Sequence, residues 1–271
     1  MRAACATIVE RDDPHLYATA LFAPEPARSS LMVLYAFDCE LSRAVRSSKE
    51  SMIPRMRLQW WRDVVEEAAQ GAVAKSHEVA SPLHAIIQDH ATVGLGDDLT
   101  ALIHAHAQVL DLPWSPEQEP VWRQNRFQRL VAAACKVLTG TRTEPPEIGP
   151  AMADAFALRH AHRMAALGDS VPLPNIVGSN LAALARGELR DSLRKILIDT
   201  AESGLRALHG ARCNHPDTDA RMIPALLPVL SVERTLSMVQ RDPGSVFGQL
   251  DDIDRPFDGL KLAWRAARGR W

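Results

Sequence analysis

The sequence lacks any strong bias of charge. It has 31 Lys and Arg against 33 Asp and Glu, a formal net charge of -2, and no acidic or basic block. A broad basic face of the kind that holds nucleic acid is therefore not expected, and we predict no nucleic-acid partner. With 46% hydrophobic residues, the chain has the composition of a folded protein rather than a disordered one.

Long apolar runs are lacking as well. The longest are interrupted by Arg, Asp or Pro well short of the roughly 20 residues that a membrane span needs. Residues 1–13 contain no apolar core followed by a small-residue cleavage site, so no secretory signal is indicated. We therefore expect a cytoplasmic location, with contact at the periphery of the inner membrane left open by the terminal segment.

Signatures of metals and cofactors are scarce. The cysteines form no CxxC pair, which is typical of reduced cytosolic thiols and gives no zinc site. The GxSxG, Walker A and GxGxxG patterns are absent. Two histidine pairs have their members two residues apart, about 200° around a helix, where they chelate a metal poorly. We expect no resident metal or cofactor. The residues concerned are Cys5, Cys39, Cys135, Cys213, His104, His106, His160 and His162.

Strand-like alternation of Val, Ile and Thr is missing, and apolar residues recur at three- and four-residue spacing, which predicts helices. Prolines and glycines mark the ends of most of them. No segment resembles a linker and no internal repeat is present, so residues 1–271 are expected to form one all-α domain of about ten helices. The predicted segments are 14–22, 31–47, 54–70, 82–90, 99–111, 121–138, 151–167, 180–186, 189–208, 219–240 and 257–268.

Three segments, taken in order, carry a family resemblance. They are residues 17–43, which contain LYAFDCELSR, residues 57–63, which read RLQWWRD, and the terminal residues 260–271. Together they resemble the squalene/phytoene synthase family, and more narrowly the branch that holds a mitochondrial complex I assembly factor and its bacterial relatives. The tryptophan pair after a YAF helix is the most specific part. Adjacent helical residues point about 100° apart, so we expect Trp60 and Trp61 to pack against different neighbours.

The resemblance implies an isoprenoid-synthase-like bundle around a central cavity and, in active members, head-to-head joining of two isoprenoid diphosphates. That reaction uses Mg²⁺ on carboxylates from two facing helices. Here the acidic positions after Phe37 hold Ser42 and Arg46, with Arg43 beside them, and the second helix holds Arg159 and Arg163.

Arginine at those positions opposes a metal ion. A guanidinium about 4 Å from Mg²⁺ is repelled by about 8 kcal/mol at an effective dielectric of about 20. Metal-dependent ionisation of a prenyl diphosphate is therefore not expected, whereas an arginine-lined cavity can bind an anion directly. The candidate residues for the cavity and for anion binding are Tyr35, Asp38, Ser42, Arg43, Arg46, Arg159 and Arg163, and no catalytic or metal-ligating residue is assigned.

Asp38 lies on an apolar stripe with Leu34 and Leu41, so its carboxylate is expected to be buried or to face the cavity. Two interpretations remain open. Asp38 is either a cavity acid that acts as a switch or a structural partner of an arginine, for which Arg28 and Arg62 are the candidates.

The terminal helix has an apolar face flanked by basic residues. It either docks on the body of the protein by that face or contacts an anionic membrane or a partner protein. The face comprises Phe257, Leu260, Trp264 and Ala267, and the basic residues are Lys261, Arg265, Arg268 and Arg270.

Three functions are compatible with these features. The first is a non-catalytic family member that assists assembly, with a respiratory complex I subunit as partner, or that binds an anionic, isoprenoid or lipid-like ligand. The second is an active isoprenoid diphosphate transferase that uses Mg²⁺ on acids from elsewhere. The third is an unrelated helical interaction module. The acids available to the second are Asp38, Glu40, Asp154 and Asp169.

Overall fold

The computed structural model describes residues 2–48, 50, 52–110, 118–142, 144–168, 171, 173, 176–248, 250 and 258–271, with the backbone alone for residues 2, 109, 118–124 and 258. The described part contains thirteen α-helices and no β-strand. The helices are α1 (Arg2–Asp12), α2 (Pro14–Ala20), α3 (Ala27–Val45), α4 (Met52–Ala69), α5 (Ala80–Asp89), α6 (Leu95–Ala107), α7 (Gln118–Thr139), α8 (Gly149–Ala166), α9 (Gly178–Arg186), α10 (Asp191–Asn214), α11 (Ile223–Leu226), α12 (Val229–Arg241) and α13 (Asp258–Ala267).

The predicted all-α class is confirmed, and two helix predictions were wrong. Helix α1 was missed because the Asp13-Pro14 start signal was taken as the start of the first helix. In fact Asp13 caps α2 by accepting the backbone N–H of Leu16 at 3.0 Å, and α1 ends just before it. The segment 219–240 was predicted as one helix, but Pro224 and Pro228 divide it, since proline lacks the N–H that continues a helix.

Helix α3 lies at the centre of the bundle. Every residue from Leu31 to Phe37 is buried, so the helix is covered on all sides, and α1, α2, α4, α5, α6 and α7 pack around it. A second group forms around α8, which packs against α7, α9, α10 and α12. Helix α7 touches both groups and therefore joins them.

The tryptophan pair packs against two neighbours but, contrary to the expectation, both rings share one of them, His77. Trp61 is buried, and its ring meets Phe37 of α3 edge-on with 5.2 Å between ring centres. Trp60 is half-buried, and both indoles lie 5.3 Å from the ring of His77. The pair thus fixes α4 against α3 and against the segment that leads into α5.

No single helix among the described residues is long and apolar enough to cross a bilayer, and only residues Ala220–Leu226 and Val229–Arg241, bent by 46° at their break, reach the length and composition together.

The junction of α8, α10 and α12 is tightly packed around Gly204. A Cβ at that position would lie 2.8 Å from Cδ1 of Leu236 and 3.3 Å from Cβ of Asp154. Asp154 is buried here, on α8. Burial raises the pKa of its carboxyl to about 7, against the opposing effect of a hydrogen bond from Ser203.

We expect Asp154→Asn to stabilise the protein at alkaline pH. The folded state holds the Asp154 proton more tightly than the unfolded state, whose ordinary pKa is 3.8, so this group lowers stability as the pH rises from about 4 to about 7. The free energy of unfolding in urea should therefore increase by up to about 4 kcal/mol at pH 8, and by less at pH 5. The exposed Asp199→Asn on α10 is the control, and an equal gain at both pH values would contradict this account.

Candidate functional site

The centre of the site is the carboxylate of Asp38, which is 4% exposed on α3. Arg126 of α7 donates from Nη2 to Oδ2 at 2.7 Å and from Nε to Oδ1 at 3.3 Å. Nε2 of His106 on α6 lies 2.8 Å from Oδ1 and donates to it, because an ionised carboxylate only accepts. Three helices are thereby joined through one side chain.

The charges of this network are fixed by their mutual contacts. Burial alone would raise the pKa of Asp38, but Arg126 and the His106 hydrogen bond outweigh it and hold that pKa well below its usual value. Burial and Arg126 together lower the pKa of His106, so the imidazole is neutral near pH 7. Asp38 and Arg126 therefore form a buried ion pair with a neutral histidine as its third member.

The predicted arginine partners of Asp38 were wrong. Arg28 donates to the backbone oxygen of Ala23, and Arg62 donates to Gln59 within α4. The stripe that carries Asp38 faces α6 and α7, which sequence periodicity could not establish.

The sequence did contain a signal for the true partners. Arg126 shares an apolar stripe with Leu130 and Val137, and His106 shares one with Leu102 and Ile103. A polar residue on a buried stripe is the criterion that singled out Asp38.

Ser42 and Arg46 follow Asp38 along α3. Ser42 accepts a hydrogen bond from Nη2 of Arg126 at 3.0 Å and so belongs to the network. Arg46 ends α3. Burial and the nearby charges of Arg126 and Arg163 lower its pKa, so positive groups from three helices are crowded here.

The two arginines predicted on α8 lie in different surroundings. Arg159 donates from Nη2 to Oγ1 of Thr235 on α12 at 2.7 Å. Arg163 is exposed, and its Nη2 is 3.4 Å from Nδ1 of His160. Arg159 therefore faces α12, whereas Arg163 reaches the surface beside Arg46.

Two other candidate residues lie apart from this group. Arg43 points towards α1 and is paired with Asp12, at 2.5 Å, and with Glu40. Tyr35 is buried in the core, where burial and the nearby Cys135 raise the pKa of its hydroxyl above the ordinary value.

Asp13 was not selected as a site residue, although it lies close to the network. Burial raises its pKa, and the charges of Asp38, Arg159 and Arg126 also act on it. Its position before Pro14 gave only a helix-capping signal.

A cavity of about 420 Å³ lies between α2, α8, α12 and α13, beside the network. Arg159 lines it, but none of its described lining residues belongs to α3. The predicted cavity between residues 31–47 and 151–167 is thus displaced. The Asp38–Arg126–His106 network occupies the space next to α3. The cavity lies instead where Arg159 of α8 faces α12.

The residues of this centre do not fit Mg²⁺. Magnesium needs free oxygen ligands in near-octahedral geometry, whereas both oxygens of Asp38 are bound and Ser42 accepts from Arg126. Within the described ranges, no group of three or more His, Cys, Asp or Glu side chains is placed to hold a metal. Of the other acids considered, Glu40 pairs with Arg43, Asp154 lies in the α8–α10 junction, and Asp169 falls outside the described residues.

Comparison with known proteins agrees with the resemblance. The squalene/phytoene synthase family model matches residues 9–144. A crystal structure of a dehydrosqualene synthase in complex with ligand superposes with a TM-score of 0.76 at 13% identity, covering 98% of this chain and 95% of that one. The squalene synthase HpnC from Alicyclobacillus acidocaldarius gives a TM-score of 0.72 at 16% identity, covering 90% and 94%. The fold is therefore that of these synthases.

Curated relatives match a shorter stretch. NADH dehydrogenase (ubiquinone) complex I, assembly factor 6, from Homo sapiens is 35% identical over 63 residues, which is 23% of this chain and 19% of the relative. Its Drosophila melanogaster homolog is 30% identical over 80 residues, or 29% and 24%. The chain thus spans about a fifth to a quarter of the length of the curated relatives it matches.

We expect Asp38→Asn to cost about 3–5 kcal/mol of unfolding free energy, because it leaves the Arg126 charge buried without its counter-ion. The double variant Asp38→Leu with Arg126→Met removes both charges and should lose far less than the sum of the single changes, which urea unfolding in a double-mutant cycle would measure.

The matched control is Asp12→Asn, which breaks the part-exposed pair with Arg43 and should cost about 1 kcal/mol or less. If a single variant does not fold, the free energy of unfolding of the double variant can still be compared with that of the wild type. Equal costs for Asp38→Asn and Asp12→Asn would contradict the assignment of a buried ion pair.

Proposed function

The chain belongs to the squalene/phytoene synthase family, and we propose that it is a non-catalytic member that acts in assembly, as a complex I-like assembly factor, and binds an anionic or lipid-like ligand. The observation that carries this proposal is the state of Asp38. It is the buried acid of the YAF helix, and both of its oxygens already accept hydrogen bonds from Arg126 and His106.

The chemistry of the family explains why this matters. Ionisation of an allylic diphosphate requires that the charge on the departing diphosphate be neutralised, which is what Mg²⁺ supplies in active members. In this chain Arg46, Arg159 and Arg163 stand in place of the expected acids, and they repel a divalent cation. The same guanidinium groups can bind an anion directly, in bidentate fashion, without a metal.

The assembly role is supported by the relatives. The proteins from human and fly that match this chain are named as complex I assembly factors. A respiratory complex I subunit is accordingly the partner that we propose, with the synthase fold retained as a scaffold.

Peripheral contact with an anionic membrane is supported by the orientation of α13. Of the two arrangements left open for the apolar face, the outward one is found: Leu260 is 65% exposed and Trp264 is 51% exposed, while Leu262 and Ala266 on the opposite face pack against the core. Of the other predicted contact residues, Arg268 stacks over Trp264 at 4.3 Å, Arg265 flanks the exposed face, and Phe257 lies outside the described residues. An exposed apolar stripe flanked by basic side chains suits an anionic bilayer surface.

Deletion of the gene in the organism that encodes it is expected to lower the amount of assembled complex I, because the proposed scaffold is lost. Native gel electrophoresis and NADH oxidation by isolated membranes would measure the effect, and re-expression of the wild-type chain should restore both. Complex I at its normal level in the deletion strain would contradict the assembly role.

The non-catalytic assignment has a separate test. The purified protein with farnesyl diphosphate and Mg²⁺ should release no more diphosphate than the same mixture with EDTA, with an active dehydrosqualene synthase as the positive control. Release that requires Mg²⁺ would mean that the chain is an enzyme.

Replacing Leu260 and Trp264 with serine is expected to weaken binding to phosphatidylglycerol vesicles by about tenfold or more, because two side chains lose their burial in the bilayer interface. Sedimentation with vesicles measures this. Wild-type binding should fall in high salt and be weak to phosphatidylcholine.

The control variant carries Met52→Ser and Met56→Ser, which remove two apolar side chains of α4 that are at least as exposed as Leu260 and Trp264. Equal loss in both variants, or wild-type binding that ignores lipid charge, would contradict the assignment of α13.

A further inference from the structure

We propose that the 420 Å³ cavity between α2, α8, α12 and α13 binds a single-chain amphiphile with a phosphate or carboxylate head, without a metal ion. This inference rests on the proposed non-catalytic, ligand-binding function and names its ligand class and its place. The volume falls within the range of small-molecule sites.

The charge of the cavity selects the head of the ligand. Four cationic side chains line it, namely Arg159, Arg234, Lys261 and Arg265, and no carboxylate occurs among its described lining residues. Arg159 is held in place by its hydrogen bond to Thr235, so one cation is positioned before any ligand arrives. An anionic head is therefore favoured over a neutral or cationic one.

The remaining wall selects the tail. Its apolar part includes Leu227, Leu230, Met238, Leu250, Leu262 and Trp264, and the uncharged polar groups beside them belong to His15, Thr19, Ser231 and Thr235. The apolar side chains offer area that an inorganic anion would leave uncovered, whereas a hydrocarbon chain would bury it at about 25 cal/mol per Å². Methionine adapts to irregular ligands, so the wall can accept chains of differing shape.

Neither half of such a ligand suits the cavity alone. A free phosphate would satisfy the cations but gain nothing from the apolar wall. A neutral hydrocarbon would cover the wall but would displace water from the cationic side chains and offer them no hydrogen-bond acceptor in its place. An amphiphile with one anionic head satisfies both, and the arginines and Lys261 take the part that a metal would otherwise play.

The cavity has a direct route to the surface beside α13. Trp264 both lines the cavity and is half-exposed, so it lies at the rim, and Lys261 is exposed next to it. Leu262, which packs against the body, lines the cavity from the same helix. A ligand can therefore enter along α13, on the side where Leu260 and Trp264 face outwards.

The test uses the full-length protein and dodecyl phosphate below its micellar concentration, in EDTA, with binding measured by isothermal titration calorimetry. Saturable binding of dodecyl phosphate is expected, together with at least tenfold weaker binding of dodecanol and of inorganic phosphate. Lys261→Glu should weaken dodecyl phosphate binding by about tenfold or more, since it reverses a charge at the mouth.

The matched control is Arg206→Glu, an identical reversal of charge at an exposed site on α10 that does not line the cavity, and it should leave binding unchanged. Both positions are exposed, so neither change should prevent folding. Absence of saturable binding, equal binding of dodecanol, or equal effects of the two reversals would overturn the proposal.

Native mass spectrometry of the protein isolated from its own cells distinguishes the sources of the ligand. A co-purified prenyl phosphate, fatty acid or lysophospholipid would each support the class, and a neutral lipid would contradict it. A negative result for ligand binding in the cavity can be distinguished from a negative result for the proposed non-catalytic function. Mg²⁺-dependent diphosphate release would remove the non-catalytic assignment, whereas a cavity that binds no dodecyl phosphate in a protein without such release would end only this inference.

Discussion

The ion pair between Asp38 and Arg126 is the constraint on which the arrangement of the centre depends. Asp38 is buried and the Arg126 side chain is only 13% exposed, and a guanidinium cannot lose its proton in a protein, so the carboxylate must stay ionised to balance it. His106 completes the carboxylate's hydrogen bonds and Ser42 accepts from the arginine. Helices α3, α6 and α7 are consequently held in one relative position by polar contacts that tolerate little change.

This constraint also decides what chemistry the centre can support. Both oxygens of Asp38 already accept hydrogen bonds from Arg126 and His106, which disfavours a bound cation, and the crowding of Arg46, Arg126 and Arg163 adds positive charge to the region. Arg159 links this centre to the neighbouring cavity, because it acts on Asp13 on one side and lines the cavity on the other. The centre thus combines the fold of the synthases with side chains that do not suit a metal ion.

The fold was predictable to a large extent because the residues that begin and end its helices act locally in the sequence. Prolines, glycines and a three- to four-residue apolar period located most helices to within a few residues, whereas α1 was hidden by the capping signal at Asp13. The site was less predictable because its key contact joins residues 88 positions apart. Periodicity identifies Asp38 and Arg126 as polar residues on buried stripes, but only three-dimensional packing shows that the two stripes face each other. The outward orientation of the Leu260 and Trp264 face of α13 could not be predicted for the same reason, since either face of that helix could have docked on the body.

The buried pair also has a consequence for how the protein responds to heat. The hydration of charged groups becomes less favourable as temperature rises, so the cost of keeping Asp38 and Arg126 out of water falls while their mutual attraction persists. On warming, the core around α3 therefore gains stability relative to the rest of the protein. The contacts by which Leu262 and Ala266 hold helix α13 are apolar and do not share this gain. Thermal opening should accordingly begin at the rim of the cavity and reach the centre last, so that the scaffold outlasts the helix that gives access to it.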